Sequence, residues 1–137
     1  MRKFVTTSLL GCILEIFNID ASGQIAKGVE KRFLPPIYKD KKSSIGFIDR
    51  KTILGISAFS ATDDFIYALY DGRAYVEDED AWTFPNQIGV FDWEGNPVCI
   101  YVLDWGVRSF VIDEQRNLCY LVGINAEKEI LLGSFDL

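Results

Sequence analysis

One segment of this chain occurs three times, and this repetition constrains the fold more than any other feature. Residues 16–25 read IFNIDASGQI, and a similar segment, VFDWEGNPV, occupies residues 90–98. Its opening half returns once more as SFDL at residues 134–137. The chain is therefore an array of related units rather than one continuous pattern.

A second repeated unit alternates with the first. The segment GISAF at residues 55–59 returns as GVRSF at residues 106–110. Each copy is followed by an apolar segment, IYALY at 66–70 and LCYLV at 118–122. The order of the two units is the same in both halves, which indicates one supersecondary structure used repeatedly.

The spacing of the repeats predicts their architecture. Phe59 and Phe110 lie 51 positions apart, and Phe91 and Phe135 lie 44 positions apart. Four-stranded propeller blades recur about every 40–50 residues. We therefore predict an all-β partial propeller. The alternative is a small β-sandwich, although a sandwich requires no equivalence between Phe59 and Phe110.

Short apolar segments separated by turn residues predict about ten strands and no helix. Asp20 to Gly23 and Trp93 to Asn96 have the same turn chemistry. Two long passages, 34–50 and 71–86, are expected to be irregular, the first because Pro35 and Pro36 cannot enter a central strand. The predicted strands are 4–9, 13–19, 25–33, 53–60, 65–70, 87–92, 97–103, 107–112, 118–122 and 130–135.

If the repeated GI/GV-containing unit is the innermost strand of a blade, the chain contains three blades. Residues 4–33 lack an inner strand, residues 53–103 form four strands, and residues 107–137 lack an outer strand. A closed propeller needs at least four blades. We therefore expect a single-domain part of a ring, with two apolar outer blade faces that bind a second copy of the chain or the missing blades.

Three segments carry a resemblance to a known family. Residues 65–73 (FIYALYDGR), 88–98 (IGVFDWEGNPV) and 110–114 (FVIDE) resemble the closing blades of the TolB-like six-bladed β-propeller family of bacterial envelope proteins. The resemblance covers nearly the whole chain, residues 1–137. It implies C-terminal blades of such a propeller and a periplasmic or cell-surface location, and it assigns no chemistry.

The N-terminal segment does not match an export leader well. Arg2 and Lys3 are followed by only seven apolar or small residues before Gly11. That length is at the short limit for a leader, and Cys12 is followed by apolar residues rather than by a polar tether. We therefore expect two strands joined by a turn in this region. The sequence does not establish the cellular compartment of the protein.

The charge balance excludes two classes of partner. With 14 basic and 20 acidic residues, the net charge is −6, and its field repels phosphate backbones and anionic lipid. A transmembrane helix needs about 20 apolar residues, whereas the run 9–17 is broken by Glu15. We expect no nucleic-acid partner and no transmembrane segment.

The sequence favours a protein without catalytic activity. The absence of histidine excludes triads and histidine bases, and no phosphate-binding glycine motif occurs. The three cysteines have no metal-ligand spacing, and the acids at 77–80 are more typical of a solvated run than of a calcium loop. We predict no cofactor and no metal, with a carboxylate-based glycan-active enzyme as a remote alternative.

The two long connections, 34–52 and 71–86, are expected to open on one rim of the propeller, where loops on a rigid scaffold carry function. We predict a non-catalytic module that binds a protein, peptide, glycan or small molecule there. An assembly role, in which association completes a propeller, is the alternative. Trp82 could instead fix its loop to the sheet. The candidate ligand-binding residues are Tyr38, Lys39, Arg73, Tyr75 and Trp82.

Overall fold

The computed structural model describes residues 2–41, 44–48, 51–74 and 84–137. These residues form β-strands and no helix, so no helix of the described part could span a membrane. The strands are β1 Arg2–Thr7, β2 Cys12–Ile19, β3 Ile25–Leu34, β4 Tyr38–Lys41, β5 Ser44–Ile48, β6 Ile56–Ala61, β7 Phe65–Tyr70, β8 Gln87–Asp92, β9 Pro97–Val102, β10 Gly106–Asp113, β11 Leu118–Ile124 and β12 Ile130–Asp136.

Three antiparallel sheets contain ten of these strands, each sheet in chain order. We call β1-β2-β3 blade 1, β6-β7-β8-β9 blade 2 and β10-β11-β12 blade 3. The prediction of an all-β partial propeller, with one complete and two incomplete blades, is confirmed. The sandwich alternative is wrong because the strands form three stacked sheets rather than two.

The passage 34–50 is not irregular throughout, contrary to the prediction. Strands β4 and β5 pair in an antiparallel two-stranded sheet, with Tyr38 opposite Ile48 and Lys39 opposite Phe47. Backbone hydrogen bonds hold such a pair, and its charged residues hide the apolar alternation by which strands are recognised. The described residues therefore contain two more strands than the ten predicted.

The repeated turns owe their shape to one aspartate. The Asp92 carboxylate accepts hydrogen bonds from the backbone N–H groups of Glu94 (3.0 Å) and Asn96 (2.8 Å). Gly95 has a φ of 76°, which glycine adopts without steric cost. The bond from the Asn96 backbone N–H is the main reason why the pKa of the Asp92 carboxyl lies below its usual range. Asp20 forms the equivalent turn in blade 1.

Blade 2 is covered on both faces, and its second strand shows the effect. Residues 66–69 of β7 are all buried, whereas a strand with one solvated face alternates. Ile66 and Ala68 face blade 1, and Tyr67 and Leu69 face blade 3. From blade 1 the core receives Val5, Cys12, Leu14 and Ile16, and from blade 3 it receives Val107, Phe110, Cys119 and Leu121.

A short segment before β6 ties blade 1 to blade 2. The Gly11 N–H donates to the Ile53 carbonyl (2.7 Å), and the Gly55 N–H donates to the Leu9 carbonyl (2.7 Å). The sequence predicted residues 53–55 as part of an inner strand, but β6 begins at Ile56. The preceding residues instead make backbone bridges to the β1–β2 turn and to Ala74.

The two terminal blades differ on their outward faces. The outward face of blade 3 is apolar and exposed, as predicted. That of blade 1 carries ion pairs that link Glu15, Lys27, Glu30 and Arg32, so the prediction that both faces are apolar is wrong. Alternation in β2 and β3 shows which residues share a face, but not which face meets solvent.

The backbone contact between the two blades should be sensitive to one methyl group. A Cβ at residue 55 would overlap the Gly11 carbonyl oxygen, and it would also lie 2.8 Å from the Ser8 carbonyl oxygen. We expect Gly55→Ala to lower the free energy of unfolding by about 1–3 kcal/mol, the usual cost of forcing atoms into a packed site. Urea denaturation measures the change.

Gly89→Ala is the matched control, because its Cβ meets only the Phe91 ring within 3.5 Å. Glycine within a strand also makes a protein less stable than alanine does at the same position. We expect this variant to unfold at the same urea concentration as the wild type or at a higher one. Equal destabilisation by the two substitutions would contradict the proposed backbone contact.

Candidate functional site

The five residues chosen from the sequence fall in different places. Tyr38 and Lys39 lie in β4. Arg73 follows the end of β7. Tyr75 and Trp82 lie outside the described residues. The structure therefore does not assemble these five into one described site.

The Arg73 guanidinium is engaged within the chain. Its Nε donates to Asp71 Oδ1 (2.5 Å), and a terminal nitrogen donates to Asp71 Oδ2 (2.7 Å). The hydrogen bond to Asp71 raises the pKa of Arg73. The Asp71 side chain is buried while that of Arg73 is partly exposed. This bidentate pair fixes the start of the connection 71–86.

The structure reveals a different candidate site, an apolar cleft of about 280 Å³ between blade 1 and blade 2. We call it the inter-blade cleft. Blade 1 contributes Cys12, Phe33 and Leu34 to its wall. Blade 2 contributes further apolar side chains, among them Ile56, Ala68, Tyr70, Phe91 and Ile100.

Small residues leave this space open. Gly89 lies in the middle of β8 and lines the cleft. A Cβ there would lie 3.3 Å from the Phe91 ring and 3.9 Å from the Ala68 carbonyl oxygen. Ala68, opposite Gly89 in the sheet, adds only one methyl group. The Phe33 and Phe91 rings, with centroids 5.5 Å apart, form part of the wall.

Among the described residues that line the cleft, none has an ionised side chain at neutral pH. Its polar atoms on side chains belong to Cys12 and Tyr70. Burial raises the pKa of the Cys12 thiol. Burial also raises the pKa of the Tyr70 hydroxyl, and the nearby Cys12 raises it further. Both groups stay protonated and are hydrogen-bond donors. The cleft therefore suits an uncharged apolar molecule.

The cleft lies at the base of both long connections. Leu34 is the last residue of β3 and Tyr70 is the last residue of β7. The connections 34–52 and 71–86 leave the sheets at these residues. The predicted rim and the cleft are therefore adjacent, although Arg73 does not line the cleft. A glycine between Ile88 and Val90 inside a strand was the available signal, since it often marks the approach of a ligand.

A second hollow, of about 500 Å³, lies at the opposite end of blades 1 and 2. It is lined by Arg2, Lys3, Thr62 and Trp93, among others. The Trp93 indole N–H donates to the Thr62 carbonyl (3.2 Å), and the Lys3 ammonium lies 5.8 Å from the Trp93 ring centroid. These groups already satisfy one another, so the hollow is a mixed-charge seam rather than a prepared site.

Comparison with known proteins gives one match. A family model described as TolB-like 6-blade propeller-like matches residues 4–115. This range covers blade 1, blade 2 and the start of blade 3. No curated protein and no solved structure matches the chain.

Burial of thiols and phenols predicts a loss of stability in alkali. Burial raises the pKa of the Cys119 thiol from 9.0 to about 11, and it also raises the pKa values of Cys12 and Tyr67. The unfolded chain loses these protons at lower pH than the folded chain. The resulting stability is complete below pH 9 and is lost as the pH rises through about 11.

Urea denaturation at pH 8, 9.5 and 11 under reducing conditions measures this effect. We expect the stability of Cys119→Ala to fall less steeply over this range than that of the wild type. Cys99→Ala is the control, since Cys99 is exposed. A Cys119→Ala variant with the wild-type pH dependence would show that the buried thiol is not responsible.

Proposed function

Because this chain belongs to the TolB-like 6-blade propeller-like family, we propose that it is a non-catalytic binding module that holds a small, uncharged apolar molecule in the inter-blade cleft. The observation that carries the proposal is the cleft itself, which has apolar walls and lies at the base of the two long connections. An envelope location, which the family resemblance implies, is part of the proposal.

The size of the cleft sets the ligand class. A volume of about 280 Å³ equals the space of about nine water molecules at about 30 Å³ each, and a dry apolar cavity of about 150 Å³ holds one benzene. A fused aromatic ring system or a short acyl chain therefore fits. Each 100 Å² of apolar ligand surface removed from water contributes about 2.5 kcal/mol.

The lining also favours this class over the alternatives. A glycan needs several hydrogen-bonding groups, whereas the side chains of the cleft offer only the Cys12 thiol and the Tyr70 hydroxyl. A carboxylate or ammonium group inside would be costly to desolvate without a partner. Any charged end of a ligand should therefore remain at the mouth of the cleft.

The chemistry of the lining supports binding without turnover. The lining residues that the structure describes include no carboxylate, amine or imidazole, which are the usual general acids and bases. Two acids directly follow lining residues in the sequence. The Asp71 carboxylate accepts hydrogen bonds from two nitrogens of the Arg73 guanidinium, and the Asp92 carboxylate accepts hydrogen bonds from the backbone of its turn. The cleft therefore provides apolar surface and orientation but no group that is poised to transfer a proton.

The test uses N-phenyl-1-naphthylamine, an uncharged aromatic probe whose fluorescence rises in apolar surroundings. We expect the wild-type chain to bind it at one site. Gly89→Val should weaken binding at least tenfold, because the new methyl groups enter the cleft. Its stability should stay close to that of the wild type, since valine favours strands.

Leu132→Asn is the matched control, because it removes exposed apolar surface far from the cleft, on blade 3. It should leave the high-affinity binding unchanged. Unchanged binding by Gly89→Val would overturn the proposed site, as would loss of binding in Leu132→Asn. Absence of probe binding by the wild type would overturn the proposed ligand class.

A further inference from the structure

The outward face of blade 3 repeats the face of blade 2 that blade 3 covers. Tyr67 is opposite Val90 in blade 2, and Tyr120 is opposite Ser134 in blade 3. Two positions back along the third strand of each blade lie Ile88 and Leu132. Ile88 is 0% exposed and Leu132 is 82% exposed. The same register position is thus core in one blade and open surface in the other.

The exposed face is continuous. Tyr67 and Tyr120 occupy the same repeat position, which predicts that both pack between blades. Tyr67 is 6% exposed but Tyr120 is 39% exposed, so within one copy the prediction holds only for Tyr67. Val111 and Ile130 are each more than half exposed. A hollow of about 350 Å³ runs over this face. A sheet face of this composition normally packs against another element.

Blade 1 presents the complementary kind of face. Phe17 occupies the register position of Phe91 and Phe135. Phe91 packs between blades 1 and 2, and Phe135 packs between blades 2 and 3. On blade 1 the Phe17 ring stacks on Phe4, with centroids 4.8 Å apart, and both side chains remain partly exposed. No described blade covers them.

The charges of blade 1 lie beside this aromatic pair, toward the outer strand. Lys27 pairs with Glu15 and Glu30, and Glu30 pairs with Arg32. All but Glu15 belong to β3, the outer strand. The face therefore has an apolar centre and a charged rim, as protein interfaces commonly do.

We propose that two copies of the chain close one six-bladed ring. The outward face of blade 3 in each copy packs on the outward face of blade 1 in the other. The described residues of each copy contribute three blades, and the matched family is described by six. A two-fold axis relates the copies, so the ring contains two identical junctions and no open end. This inference goes beyond ligand binding and does not depend on it.

The chain's own packing favours this arrangement over a dimer of two blade 3 faces. Within the chain, the blade 2 face that carries Tyr67 packs against the blade 3 face that carries Phe135. The corresponding face of blade 1 packs against the blade 2 face that carries Phe91. Two blade 3 faces would bring like surfaces together. They would also leave Phe4 and Phe17 in water at both ends. The ring covers both kinds of face.

Size exclusion with light scattering tests the proposal on the full chain. We expect twice the chain mass of 15.5 kDa. Leu132→Asp places a charge on the blade 3 face, and Thr6→Arg places one on the blade 1 face. Thr6 already donates to Glu15, which can pair with the new guanidinium and preserve the fold. Each variant should raise the dimer Kd at least tenfold.

Val102→Asp is the matched control, because Val102 is exposed and apolar but lies on blade 2, outside both junctions. It should remain dimeric. Mixing the two junction variants leaves one wild-type junction in the mixed ring and brings opposite charges into the other junction. The mixture should therefore dimerise more tightly than either variant alone, which loss of folding could not produce.

Three results would overturn the ring. The wild type could be a monomer or an assembly larger than two copies. Dimerisation could be lost in Leu132→Asp but not in Thr6→Arg, which would indicate contact between two blade 3 faces. The mixture of the two variants could dimerise no better than its components.

Discussion

Burial of both faces of blade 2 is the constraint on which the rest of this structure depends. Residues 66–69 form a strand that is apolar on both sides, and such a strand is stable only between two covers. Blade 1 and blade 3 provide these covers. Each of them then keeps one face with no described neighbour. The two outward faces therefore exist because blades 1 and 3 cover the two faces of blade 2.

The packing of blade 1 on blade 2 also produces the inter-blade cleft. The blades approach most closely where Gly11 and Gly55 meet, because neither residue has a side chain to separate the backbones. Farther out, Gly89 and Ala68 are too small to fill the space between the sheets. The same scarcity of side-chain volume therefore permits a close backbone contact at one point and an open apolar space at another.

The sequence predicted those features that depend on local pattern. The repeated segments located the three sheets, and Asp20 and Asp92 located the turns. The β4–β5 pair was missed because both strands are short and β4 is charged. Burial of Tyr120 was predicted wrongly, since repeat position defines a side chain's direction but not its neighbour. The cleft was beyond prediction because Phe33 and Gly89, 56 positions apart, meet only through blade packing.

The junctions between blades differ at two repeat positions, and this difference accounts for the open space between blades 1 and 2. Between blades 2 and 3 the Trp105 ring covers Gly133, the counterpart of Gly89. Leu54 precedes Gly55 as Trp105 precedes Gly106, and no tryptophan covers Gly89, whose nearest side chain is the Phe91 ring. At the proposed junction between copies, the counterpart of Gly89 and Gly133 is Glu15, which forms an ion pair with Lys27. In a closed ring, the inter-blade cleft would therefore lie within each copy of the chain.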